Sequence, residues 1–512
     1  MMVHNFLEDS ARKRPDKTAL ITAQGRYTYK ELDAMANGIA NALMAEGLEK
    51  GDRAAIFMDN SLEAVVSVFG VLKAGGIFLM INPTTKVEKL TYMLNNCRAT
   101  AILSAGQKTP VISEACNNTP SLKGVYLSGA EALPAKGIHK KTFSLTEALK
   151  SGGAPPPLPR AIDVDLATII YTSGSTGSPK GVMMTHLNMA AAASSITEYL
   201  ENTPNDIILN TLPMSFDYGL YQVLMAFKLG AAVVLEKAFL YPYKVIETLI
   251  REEVTGFPLV PTMSAIILQM EDIRKMDFPS LRYITNTAAA LPVAHILKLR
   301  EFFPTARIFS MYGLTECKRV SYLPPDQLDI RPTSVGKGMP NTEVYIAGEN
   351  GERAGPNTVG ELVVRGSNVM RGYWEMPEET AKKLRPGAYP GEMALYTGDL
   401  FKMDGEGYLY FVSRKDDIIK SRGEKVSPRE IENVIYEMEG VVEAAVVGVD
   451  DPVLGQAIKA FVVIRDGAAL TEKDVQKFCS KHLEDFMVPK HVEFRRELPK
   501  TDTGKIKKTG LH

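Results

Sequence analysis

Short apolar runs alternate with stretches whose apolar residues recur at helical spacing, and this alternation occupies most of the chain. Tyr27, Thr28 and Tyr29 form a short β-prone run. Leu32, Met35, Ala36, Ile39 and Leu43 then recur every three or four positions, and Gly47 is placed to stop that helix. The same reading predicts strands over 53–58, 77–81 and 99–103, with helices over 61–74 and 86–95 between and after them. A proline- and glycine-rich connector over 152–159 leads to an apolar run over 167–170. Further strands are expected over 207–212, 231–235, 255–260, 281–285 and 306–311, punctuated by Pro261, Pro292 and Pro304. Such alternation argues for parallel α/β layers.

From about Val344 the texture becomes β-rich, with runs over 344–347, 360–365 and 408–412 spaced by glycine and proline. A charged crossing, Arg414-Lys415-Asp416-Asp417, follows. Beyond it Ser427-Pro428-Arg429-Glu430 reads as a capping box with proline at the first helical position, and Ile431, Val434, Ile435 and Met438 supply a buried face. Strands over 442–449 and 459–463, a helix over 472–482 and a strand over 491–494 complete a compact α/β piece. The final segment, 501–512, is basic and contains glycine.

Length and charge narrow the function classes. A chain of 512 residues exceeds one core and suggests two or three domains. A formal net charge of -1 gives no basic footprint for nucleic acid. Cys97, Cys116, Cys317 and Cys479 have no metal-binding spacing and suit a reducing compartment. The start of the chain lacks the pattern of a signal peptide. The most apolar stretches, 64–83 and 218–235, are interrupted by Lys73 and Lys228 and read as buried strand–helix units. A cytoplasmic protein without a membrane span is the expectation; oligomeric state is not legible.

The first chemical signal is Tyr171-Thr172-Ser173-Gly174-Ser175-Thr176-Gly177-Ser178-Pro179-Lys180-Gly181, directly after an apolar run. Glycines bring backbone N–H groups close to an anion, hydroxyls add short donors, and Lys180 adds a point charge. The chemistry suggested is polyphosphate handling. Pro179 before Lys180 and Gly181 after it exclude the common NTPase loop, which needs Gly-Lys-Ser/Thr at a helix start.

Four further stretches join this loop: Tyr312-Gly313-Leu314-Thr315-Glu316, Tyr396-Thr397-Gly398-Asp399, the crossing 414–432, and Pro499-Lys500-Thr501-Asp502-Thr503-Gly504-Lys505. Together, in order and spacing, the set resembles the adenylate-forming (AMP-binding) superfamily. That superfamily contains acyl-CoA and aryl-CoA synthetases, luciferase and the adenylation domains of nonribosomal peptide synthetases. The resemblance implies an α/β chain with a large N-terminal domain over 1–413, made of two α/β subdomains and a small β-rich unit. A small mobile α+β domain over 414–512 would follow, hinged near 415–417. It also implies two half-reactions. A carboxylate attacks the α-phosphorus of ATP, releasing pyrophosphate, and a thiol then displaces AMP. The physical logic agrees, since phosphoryl-centred transfer rests on positioning and charge neutralisation.

Residue roles carried over from the resemblance are as follows. Thr172, Ser173, Gly174, Ser175, Thr176, Gly177 and Lys180 would hold the β- and γ-phosphates. Thr315 would meet the α-phosphate, Glu316 would hold Mg2+, and Asp399 would accept from the ribose hydroxyls. Tyr312 and Gly313 would lie by adenine, with Ala288 and Ala289; Ala290 would line the acyl pocket. Arg414 would reach ribose or phosphate. Lys505 would bridge the carboxylate and α-phosphate oxygens, Asp416 would be the hinge, and Lys420 and Gly423 would serve the thioester step. Cys317 is expected to be a bland buried thiol, because the acceptor supplies the reacting thiol.

The acid and the thiol are less legible. Phe216-Asp217 occupies the substrate-facing motif, and amino-acid-activating relatives use such an aspartate for the substrate ammonium. Met311 and Leu314 lean instead towards acyl ligases. The expectation is a ligase for a small-molecule carboxylate that uses coenzyme A. The alternative is a free-standing amino-acid adenylation enzyme that loads the phosphopantetheine of a separate acyl or peptidyl carrier protein. A catalytically silent relative is disfavoured by the presence of Glu316, Lys505 and the complete loop.

Overall fold

The computed structural model describes the chain except residues 130–134, 157–160, 173–178, 288–290, 416, 422–423, 452–453, 502–504, 509 and 512, and except the side chains at 271, 420 and 425. Its described strands form four sheets. The first has Arg53–Phe57 at its centre, flanked by Ile77–Met80 and Ala101–Ala105 in parallel. Leu166–Thr172 continues it, and Lys180–Thr185 returns antiparallel to that strand. Lys180 thus opens a strand rather than a helix, as the mismatch with the NTPase loop requires.

The second sheet carries the parallel strands Ala232–Leu235, Ile207–Asn210, Gly256–Leu259, Tyr283–Asn286 and Arg307–Tyr312. An early strand that the apolar pattern does not single out, Thr18–Thr22, also belongs here, with Leu20 opposite Val233. The run at Tyr27 divides: Gly25–Thr28 is a strand, and Tyr29 opens the helix Tyr29–Ala45. Thr28 caps that helix by accepting from the Glu31 backbone, with Glu31 reaching back.

Helices of the two sheets meet between them. Phe69, on the helix Leu62–Lys73, stacks on Phe227 of the helix Asp217–Leu229 with centroids 5.4 Å apart, and Tyr29 meets the same ring edge-on. Each such buried aromatic contributes about 2–3 kcal/mol. Lys73, which breaks the apolar run, is buried and donates to Asp33 and Asn37 at 2.7 Å each. Burial is tolerated because the charge is paired.

A third, antiparallel sheet joins Thr342–Ala347, Gly360–Gly366, Met393–Met403, Leu384–Pro386 and Leu409–Arg414. The fourth, Ile419–Ser421, Glu424–Val426, Val441–Asp451, Gly455–Ile464 and His491–Phe494, packs on the helices Pro428–Tyr436 and Glu472–His482. The helix at Pro428 starts where expected, but the capping box does not form. Ser427 Oγ donates instead to the Val412 carbonyl at 2.5 Å, so the hydroxyl ties the helix start back to the preceding sheet. No helix of the described residues is long and apolar enough to cross a membrane.

Candidate active site

The site gathers at the C-terminal ends of the second sheet's parallel strands, where open α/β sheets place ligands. Tyr312 closes the strand Arg307–Tyr312 and donates its hydroxyl to Asp399 Oδ2 at 2.5 Å. Burial first, and Asp399 second, hold this phenol well above its ordinary pKa, so it stays a donor. Asp399 lies on Met393–Met403, in register with Arg414, whose Nε approaches its Oδ1 at 3.4 Å.

After Tyr312 the chain turns tightly. A Cβ on Gly313 would stand 2.4 Å from the Lys318 carbonyl, so only glycine fits that approach. Buried Asn368 fixes the turn by donating to the carbonyls of Cys317 and Arg319, both at 2.9 Å. Glu316 Oε1 accepts from the Tyr373 hydroxyl at 2.7 Å. No basic side chain among the described residues lies within salt-bridge distance of Glu316. Cys317 is buried, and desolvation drives its thiol pKa well up, which leaves it inert.

Lys180 is held by Glu379 at 2.5 Å and lies 5.7 Å from the ring of Tyr373. Thr172 pairs with Lys180 across the hairpin. The loop between them, Ser173 to Ser178, lies outside the described residues, as do Ala288, Ala289, Ala290, Asp416, Gly423 and the Lys420 side chain.

Lys505 comes from the far end of the chain. Its N–H donates to Thr501 Oγ1 at 3.2 Å, and its carbonyl accepts from the Thr501 N–H at 2.7 Å. Leu498, Ile506 and Leu511 anchor this segment on Phe461 of the fourth sheet. The neighbouring lysines are bound elsewhere: Lys500 to Glu443 at 2.7 Å and Lys508 to Glu432 at 2.6 Å. Burial lowers the Lys505 pKa, with Arg414 adding to the effect, while Asp217, Asp399 and Glu316 oppose it. The predicted lysine therefore shares one electrostatic neighbourhood with four predicted partners from the large sheets.

Asp217 opens the helix Asp217–Leu229 directly after Phe216. Under the alternative amino-acid reading, the cation expected for this aspartate is a substrate ammonium. The structure supplies one from the chain: Lys318 Nζ stands 3.7 Å from Asp217 Oδ2. Lys318, Arg319, Tyr373 and Glu379 carry no signal in the sequence reading. A glycine before Tyr373-Trp374 was the available hint for one of them.

The chain matches the family model "AMP-binding enzyme" over residues 7–374 and "AMP-binding enzyme C-terminal domain" over 430–505. It is 32% identical to a long-chain-fatty-acid–CoA ligase of Bacillus subtilis, across 98% of this chain and 93% of that protein. It is 30% identical to 3-[(3aS,4S,7aS)-7a-methyl-1,5-dioxo-octahydro-1H-inden-4-yl]propanoyl:CoA ligase of Rhodococcus jostii, across 99% and 97%. The crystal structure of ATP-bound MatB from Rhodopseudomonas palustris superposes with a TM-score of 0.90 at 30% identity, covering 100% of this chain and 98% of that one. With the family model matched over most of the chain and a relative 32% identical along 98% of it, the chain belongs to the AMP-binding enzyme family.

Proposed function

We propose that this protein is an ATP-dependent acid–thiol ligase that makes an acyl-adenylate and passes the acyl group to coenzyme A. The observation that carries the reading is the chain Tyr312–Asp399–Arg414, held at 2.5 and 3.4 Å, with Lys505 in the electrostatic field of Asp217, Asp399, Glu316 and Arg414. A mobile ammonium among these groups can neutralise charge where the carboxylate oxygen bonds to the α-phosphorus and pyrophosphate leaves. Thr315 faces the α-phosphate, and Thr172 with Lys180 and residues 173–177 holds the departing pyrophosphate. Asp399 takes the ribose hydroxyls, while Tyr312 and Gly313, with Ala288 and Ala289, border adenine. Phe216, Asp217 and Ala290 face the acid.

Glu316 suits Mg2+, because its carboxylate is oriented by Tyr373 and has no basic partner among the described residues. Mg2+ commonly binds through one or two carboxylates plus phosphate oxygens. When bound there it would supply neutralising charge to the phosphates. In the second half-reaction a thiolate attacks the acyl carbon and AMP departs. Rotation of the domain 414–512 about Asp416 would withdraw Lys505 and bring Lys420 and Gly423 to the site. The compartment is proposed as cytoplasmic.

The test is acid-dependent ATP–pyrophosphate exchange over a broad panel of carboxylic and amino acids, followed by AMP release with coenzyme A. Exchange with an acid, and AMP release on adding coenzyme A, are expected. A panel that drives no exchange removes the ligase reading. Exchange without turnover on coenzyme A, but with turnover on a carrier-protein phosphopantetheine, moves the acceptor.

A further inference from the structure

Lys180, at the mouth of the proposed phosphate loop, is already engaged. Its Nζ meets Glu379 Oε2 at 2.5 Å, and its side chain is only 15% exposed. The other oxygen of that carboxylate, Oε1, takes Lys382. One glutamate thus bridges two lysines. These bonds, Lys180's first and Lys382's second, hold the Glu379 pKa down to about 2, so the group is a carboxylate at neutral pH.

A short strand carries Glu379 to this place. Gly372–Tyr373 pairs antiparallel with Lys180–Thr185, setting Gly372 opposite Met183 and Tyr373 opposite Val182. The helix Pro377–Lys383 docks on that strand through Thr380. The Thr380 hydroxyl accepts from the Tyr373 N–H at 2.9 Å and donates to the Met376 carbonyl at 2.8 Å. A Cβ on Gly372 would stand 2.8 Å from Thr380 Cγ2, so helix and strand lie tightly together. The same strand sends the Tyr373 hydroxyl to Glu316. Glu379 is therefore set beside Lys180 by backbone pairing, on the element that also orients the carboxylate proposed for Mg2+.

Resting on the ligase reading above, we propose that Glu379 is a positioning residue for pyrophosphate departure: it competes for Lys180 and takes the ammonium back as pyrophosphate leaves. An ammonium has three donors, but a carboxylate in contact with it cancels most of its field at an incoming phosphate. ATP has adenine and ribose to hold it as well. Pyrophosphate has phosphate contacts alone, so the weakening falls hardest on the product that must leave. Lys382 keeps Glu379 anchored and ionised while Lys180 is turned to phosphate.

The experiment titrates inorganic pyrophosphate with Mg2+ into the full chain by calorimetry, with no acid present. It compares wild type, Glu379→Gln, Lys180→Ala and the double variant. Glu379→Gln keeps the shape, removes the charge and is expected to tighten pyrophosphate about tenfold. Lys180→Ala should weaken it about tenfold. Added to Lys180→Ala, Glu379→Gln should change binding less than about twofold, since its effect runs through the lysine. A merely structural role cannot produce the tightening, because damage to the helix loosens the site. Weaker binding in Glu379→Gln would mean that the carboxylate aims Lys180 at phosphate, and overturns the proposal; unchanged binding overturns it too. In either case a weakened Lys180→Ala leaves the ligase reading standing. Full tightening in the Lys180→Ala background overturns the route through Lys180. Binding indifferent to Lys180→Ala overturns the proposal and the place assigned to Lys180, while acid-dependent exchange still decides the ligase reading. If Glu379→Gln does not fold, Glu379→Ala reads the same sign.

Discussion

The side of the site proposed to hold the nucleotide and the side proposed to face the acid follow opposite rules. On the nucleotide side charged groups come with partners: Tyr312 with Asp399, Asp399 with Arg414, Glu316 with Tyr373, Lys180 with Glu379. Those pairs hold each group in place before a ligand arrives, which is how preorganised electrostatics lower a barrier. On the acyl side Lys318 shares a single aspartate at 3.7 Å, and Arg319 has open donors. The first arrangement is set by pairs within the protein, while the second keeps buried donors without partners among the described residues.

The largest test of this contrast is Lys505→Ala, the cation proposed to act on the nucleotide side. Pyrophosphate exchange should fall about 10²–10³-fold. Thioester formation from supplied acyl-adenylate should stay within about threefold, since that step does not use the ammonium. Equal loss in both steps would merge the two faces that the domain movement is meant to separate.

The acyl side has its own signature in pH. Burial, aided by Arg319 and opposed by Asp217, lowers Lys318 to about 7 from its ordinary 10.5. The rings of Tyr218 and Tyr221 pack against the same ammonium. Between those pH values the unfolded chain holds a proton that the folded chain has shed. Stability from this group therefore rises with pH across that window, by at most about 1.4 kcal/mol per unit. Below pH 7 the full cost of the buried charge remains. Lys318→Met lacks the term, so urea midpoints of wild type should gain on the variant from pH 7 towards 10. Parallel profiles would mean that Lys318 is not buried as a strained cation.

Two smaller changes probe the turn between the sides. Gly313→Ala places a methyl 2.4 Å from the Lys318 carbonyl and should cost about 1–3 kcal/mol, read as a lower thermal midpoint. An unchanged midpoint would show that the turn can widen. Tyr373→Phe removes one hydrogen bond from Glu316, worth about 1 kcal/mol. It should raise the Mg2+ concentration for half-maximal exchange about fivefold. No change would mean that Glu316 needs no orientation.

The contrast also explains what the sequence could reveal. Tyr312, Glu316, Asp399 and Lys505 stand in short motifs whose order and spacing carry the family resemblance, so they could be proposed together from the sequence. Lys318 and Arg319 follow the same motif directly, yet two adjacent basic residues ordinarily read as solvated. Only the turn at Gly313, pinned by Asn368, decides that they point inward. Apolar period located most of the parallel strands of both large sheets, because strands buried on both faces are continuous apolar runs, but it missed Gly124–Ser128 and Lys141–Ser144. It could not assign Thr18–Thr22 to the second sheet, since pairing partners are set by topology. Ser427 was misread for a similar reason. A cap needs the hydroxyl oxygen aimed at the helix N–H groups, and the Ser427 hydroxyl is instead aimed at the Val412 carbonyl, to which it donates, with no cap bond formed.

That early strand carries a consequence for synthesis. Leu20 pairs with Val233, so the second sheet cannot admit Thr18–Thr22 until the chain has grown past Leu235. At 5–20 residues per second the wait is roughly ten to forty seconds. Throughout it, Ala19, Leu20 and Ile21, fully or nearly buried at the end, have only the hairpin partner Gly25–Thr28 of their native sheet. The first sheet's central strands Arg53–Phe57, Ile77–Met80 and Ala101–Ala105 emerge in the meantime and can assemble without them. A nascent chain of this protein therefore holds an apolar segment near its start in reserve.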